Sequence, residues 1–76
     1  MEVSESKEEG YVYLTDKETF ILQLVARGFK SKEIAFDMGV TERTVKAHLT
    51  NIYSKLGVES RSQAVVTALE RGILHI

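Results

Sequence analysis

The chain is 76 residues long, 43% hydrophobic and 28% charged, with a formal net charge of −1 and neither cysteine nor proline. That length builds one small core and excludes a second, and the missing cysteines exclude disulfides, cysteine-based zinc sites and thiol chemistry. The longest apolar run, Phe20–Ala26 broken by Gln23, falls far short of the roughly 20 residues of a membrane span. The start, MEVSESKEEG, has no signal-peptide apolar region, so a cytoplasmic location is expected.

In chain order, residues 1–13 carry four Glu against one Lys, whereas residues 14–76 carry nine Lys or Arg against seven Asp or Glu. Residues 1–13 read as an acidic, flexible linker or tail, and 14–76 as the folded domain. YVYL, Tyr11–Leu14, predicts a short extended lead-in packed on the first helix. Thr15 and Glu18 form an S/T-x-x-E capping box at the head of that helix, Asp16–Arg27, and the box by itself accounts for Glu18. Gly28 is its stop. The stretch FILQLVA is apolar around most of the circumference, which places this helix at the centre of the core.

Ser31 as N-cap predicts a short second helix, Lys32–Met38, with Ile34, Ala35 and Met38 on its apolar face. Gly39 ends it, and Val40 is expected to be buried in the turn. Thr41 caps a third helix, Glu42–Leu56, ended by Gly57. Ser60 and Gln63 form an S-x-x-Q box for a fourth, Arg61–Arg71, ended by Gly72. The expected fold class is therefore all-α, a compact four-helix domain.

The third helix carries the chemistry. At about 100° per residue, Val45, Leu49, Ile52 and Leu56 form a narrow apolar seam. The opposite arc holds Arg43, Lys46, Ala47, Thr50, Asn51 and Ser54, with Tyr53 on one flank of the seam and His48 and Lys55 on the other. No acidic residue occurs from Arg43 to Val58, and no Glu–Lys pair at i, i+4 lies between Arg43 and Lys55. Two explanations stand at this point. The face is solvated and lacks acids by chance, or it lies against phosphates. There a carboxylate costs binding, while Lys, Arg, Thr, Ser and Asn can contact phosphates and base edges. A short helix, a glycine-centred turn and a longer polar helix also make the helix-turn-helix pattern, whose second helix lies in the major groove. Ser31 and Lys32 at the start of the second helix can hold a phosphate on free N–H groups.

In LTDKE (14–18), LVARGFKSKEIA (24–35), VTERTVKAHLTNIYSKLGV (40–58) and SRSQAV (60–65), the chain resembles the LuxR-type DNA-binding domain, also called GerE- or NarL/FixJ-type. The resemblance covers about residues 14–74. It implies a helix-turn-helix made of the second and third helices and dimerisation through the fourth. Lys46, Ala47, Thr50 and Asn51 would face base edges. Ser31, Lys32, Thr41, Arg43, Thr44, His48 and Ser54 would contact the DNA backbone, although His48 can equally pack beside the seam. On the fourth helix, Ala64, Val65, Ala68 and Leu69 share one face, and Ser62, Val66 and Leu69 are the dimer candidates. The implied partners are double-stranded promoter DNA, a second copy of the chain and RNA polymerase. No cofactor, metal or small-molecule ligand is expected. Lys17 stands where the family usually has Arg, and Phe20 where Glu is frequent.

Most relatives place such a domain after a receiver or ligand-binding domain. MEVSESKEEG can be the end of the linker to one, in the output domain of a two-component response regulator, or the start of a free-standing regulator. An enzyme is disfavoured, since His48 and His75 show no ligand spacing and no HExxH, P-loop or nucleophile elbow is present. A protein-docking role for the helix-turn-helix is the serious alternative, and it predicts an exposed apolar or aromatic patch.

Overall fold

The computed structural model describes residues 13–75, which form four helices: α1 Asp16–Ala26, α2 Ser31–Met38, α3 Glu42–Leu56 and α4 Arg61–Glu70. Residues 1–12, with most of the acidic stretch and Tyr11 and Val12 of the lead-in, lie outside the described residues. The helix starts follow capping chemistry. At α1 both arms of the box are made: the Glu18 N–H donates to Thr15 Oγ1 at 3.1 Å and the Thr15 N–H to Glu18 Oε1 at 2.9 Å. At α3 the Thr44 N–H donates to Thr41 Oγ1 at 3.1 Å.

The helix ends share one device. In each, the residue after the glycine donates its N–H to the carbonyl five positions back, and the glycine donates to the carbonyl three back, as Val40 to Ala35 and Gly39 to Phe36. This double bond satisfies carbonyls the helix leaves open, and it needs a left-handed residue. Gly39 has φ of 71°, and a Cβ there would meet nothing within 4 Å. Backbone conformation alone therefore calls for glycine at this turn.

The α1 and α3 helices each pack on the other three, while α2 and α4 do not meet. Ile21 and Leu22 from α1, Ile34 from α2 and Val45 and Ile52 from α3 are wholly buried, each contributing about 1.5–3 kcal/mol of apolar burial. Leu14 and Leu74 close the core from the two ends of the described chain.

Several expectations need correction. Ser31 is the first residue of α2 and Lys30 is its N-cap, because the Glu33 carboxylate reaches back to accept the Lys30 N–H at 2.7 Å. A lysine side chain has no acceptor, so only this arm of a box exists. At α4, Ser60 Oγ accepts the Gln63 N–H, but Gln63 Oε1 accepts from the Glu59 N–H, one residue upstream of the expected arm. Arg27 and Arg71 are caps, so α1 and α4 each end one residue early. Val40 is 38% exposed; the turn uses its backbone N–H, and its side chain lies at the rim. Leu69, a dimer candidate, is 38% exposed, so its exposure leaves that expectation standing. It lies at the edge of the α4 contact, which the wholly buried Ala64 and Ala68 make. Of the lead-in, Leu14 is buried but Tyr13 points to solvent.

Candidate nucleic-acid interface

The seam of α3 is buried as expected: Val45, Leu49, Ile52 and Leu56 are at most 5% exposed. Packing of that seam turns Arg43, Lys46, Ala47, Thr50, Asn51 and Ser54 to solvent together. The four residues expected to face bases thus share one open face. Lys32, Thr41 and Thr44 are exposed near the starts of α2 and α3, while Ser31 and His48 are half-buried.

Hydrogen bonds set what these side chains can offer. The Thr50 hydroxyl donates to the Lys46 carbonyl at 3.0 Å, the back-bonding habit of threonine within helices. The hydroxyls of Thr41 and Thr44 lie 3.0 Å apart, and Thr41 Oγ1 also accepts the Thr44 N–H. One proton bridges the two oxygens, which leaves one O–H of the pair free to donate.

Two glutamates shape the electrostatics. Glu42, immediately before the acid-free stretch, pairs with Lys46 at 3.4 Å, with both side chains well exposed. At the other end of α3, Lys55 Nζ donates to Glu18 Oε1 at 2.8 Å. Glu18 is buried, which alone would raise its pKa. The hydrogen bonds from Lys55 and from the Thr15 backbone, with the Lys55 charge, outweigh burial and hold the carboxyl below its ordinary value. Glu18 therefore both caps α1 and anchors the C-terminal end of α3. Arg61 adds a third tie, donating from Nη1 to the Phe29 carbonyl at 2.8 Å, so the start of α4 is fixed to the loop that feeds α2.

Sequence reasoning missed these ties for different reasons. Glu42 and Lys46 stand at i, i+4, a visible signal one residue outside the acid-free stretch. The Glu18–Lys55 pair joins residues 37 apart, and the position of Lys55 beside the seam was its one trace. Phe36, 90% exposed on the outer side of α2, carried no signal beyond falling off that helix's apolar face. On α4, Ser62, Val66 and Leu69 are all exposed, and their i, i+4, i+7 spacing places them on one stripe.

The family model described as bacterial regulatory proteins, luxR family, matches residues 12–68. Among curated relatives, the transcriptional regulatory protein YdfI of Bacillus subtilis is 54% identical over 70 residues, which is 92% of this chain and 33% of YdfI. The response regulator protein VraR of Staphylococcus aureus is 43% identical over 67 residues, covering 88% of this chain and 32% of VraR. The chain thus spans about a third of the length of these relatives. Among solved structures, the transcription factor GerE superposes with a TM-score of 0.77 at 40% identity, over 82% of this chain and 92% of GerE. A Vibrio cholera VqmA–ligand–DNA complex gives 0.75 at 35% identity, over 82% of this chain and 27% of that one.

Proposed function

Since the chain belongs to the luxR family of bacterial regulatory proteins, whose members similar to it include transcriptional regulators and response regulators, we propose that it binds double-stranded promoter DNA sequence-specifically, with α3 in the major groove. The observation that carries this reading is the outer face of α3. Lys46, Ala47, Thr50 and Asn51 are exposed together, and Glu42, one turn before Lys46, is already paired with it.

Lys46 reads a guanine edge and Asn51 an adenine edge. Arg43, Lys32, Ser54 and the free proton of the Thr41–Thr44 pair hold phosphates, with Ser31 and His48 at the margin. Glu33 places a carboxylate at the amide end of α2, so Lys32 contributes there through its side chain and the amide groups contribute little. Two copies joined through Ser62, Val66 and Leu69 of α4 read half-sites about one helical turn apart. Residues 1–13 act as a linker, residues 14–76 as the output domain of a response regulator, and the protein works in the cytoplasm, where promoter DNA is.

The test is a titration of the domain with duplex DNA at several salt concentrations. Binding at low salt, with log affinity falling linearly against log salt, is expected. No binding to any duplex at low salt and micromolar protein overturns the reading.

A further inference from the structure

The single proton of the Thr50 hydroxyl is spent inside the helix, on the Lys46 carbonyl. Its oxygen can no longer donate to a base edge, and the γ-methyl is the group left for apolar contact. At about 100° per residue, Thr50 falls between Lys46 and Ala47 on the exposed arc, and Asn51 follows Ala47. The face therefore runs from ammonium to methyl to methyl to amide, and all four residues are exposed. Two adjacent methyl groups between two hydrogen-bonding side chains match one feature of the major groove, the 5-methyl of thymine, which is the apolar group presented there.

We propose that Thr50 and Ala47 form a methyl contact that selects a thymine in each half-site, with Thr50 acting through its γ-methyl and its hydroxyl serving the helix. This rests on the major-groove reading above and specifies the base read at its centre. Serine at position 50 keeps the back-bonded hydroxyl and loses the methyl. Valine keeps a methyl branch and loses the hydroxyl, so the two variants separate the possibilities.

The experiment begins with duplexes enriched by the wild-type domain from a random-sequence pool. Each thymine of the enriched site is then replaced singly by deoxyuridine, which removes only the 5-methyl. At one thymine per half-site the affinity should fall about four-fold, the value of one buried methyl. That preference for thymine over deoxyuridine should survive in Thr50→Val and shrink in Thr50→Ser, where the Ala47 methyl alone remains, with both variants checked for native backbone amide spectra. Indifference to deoxyuridine at every position overturns the proposal, as does a preference lost in Thr50→Val and kept in Thr50→Ser. Failure of the wild-type domain to enrich any sequence overturns the DNA reading itself, and this inference with it.

Discussion

The two ends of α3 carry the same chemical pair in opposite surroundings. At the C-terminal end, Lys55 meets Glu18, which is buried, caps another helix and lies 37 residues away in sequence. At the N-terminal end, Lys46 meets Glu42 one turn earlier, with both side chains in water. Only Glu18 of the first pair is buried, since the Lys55 side chain is 36% exposed. Glu18 also holds an N–H of the α1 cap, so its loss leaves more than a solvated lysine. An exposed i, i+4 pair is worth only about 0.3–0.5 kcal/mol and exchanges readily for another partner. The same two residue types therefore fix one end of the helix and leave the other end ready to trade a carboxylate for a phosphate or a base edge.

The largest effect should come from the buried end. Glu18→Ala removes the hydrogen-bond partner of Lys55 and one arm of the α1 capping box, and should cost about 2–4 kcal/mol in urea unfolding. For a domain with about 5–15 kcal/mol in total, that is a severe loss; a cost under about 0.5 kcal/mol would make the two ends equivalent. Lys46→Ala comes next. It should weaken binding to the selected site by about 1–3 kcal/mol while leaving the unfolding midpoint within a few tenths of a kcal/mol of wild type. Unchanged affinity would remove Lys46 from the base readers.

The pH dependence of stability sharpens the contrast. Because the folded pKa of Glu18 lies below its ordinary value of 4.5, its contribution is fully present above about pH 4.5. It is lost as pH falls through the folded pKa. The stability difference between wild type and Glu18→Gln should therefore shrink on acidification below pH 4.5, and a constant difference would show that the Glu18 charge contributes nothing. The smallest effect belongs to Glu42→Gln. Freeing Lys46 from its carboxylate should raise affinity for DNA about two- to three-fold at low salt, with stability almost unchanged. Weaker binding would instead mean that Glu42 holds Lys46 in position or touches the DNA.

The contrast also explains what the sequence made legible. Helix identities followed from local signals: Thr15, Thr41 and Ser60 at the starts, Gly28, Gly39, Gly57 and Gly72 at the ends, and the Val45–Leu49–Ile52–Leu56 periodicity between them. These depend on residues within one turn of each other, and the exposed face of α3 followed because it is the complement of that seam. The α2 cap was misassigned because two adjacent residues competed and the reach of the Glu33 side chain decided between them. The burial of Glu18 and its tie to Lys55 arise from packing α1 against α3, and no local pattern encodes that distance. Val40 was misplaced for a related reason. Apolar character says that a side chain can be buried, while packing decides whether it is: Val40 gives the turn its backbone N–H and keeps its side chain partly in solvent.

The most direct measurement is a backbone amide NMR titration of the domain with a short duplex at low salt, repeated at rising ionic strength. Shifts concentrated at residues 31–32 and 41–54 and fading with salt are the predicted result, and they identify the outer face of α3 as the surface that meets DNA. Shifts that are absent, or confined to α1 and α4 while residues 41–54 stay silent, would contradict it and leave protein docking as the use of this helix-turn-helix.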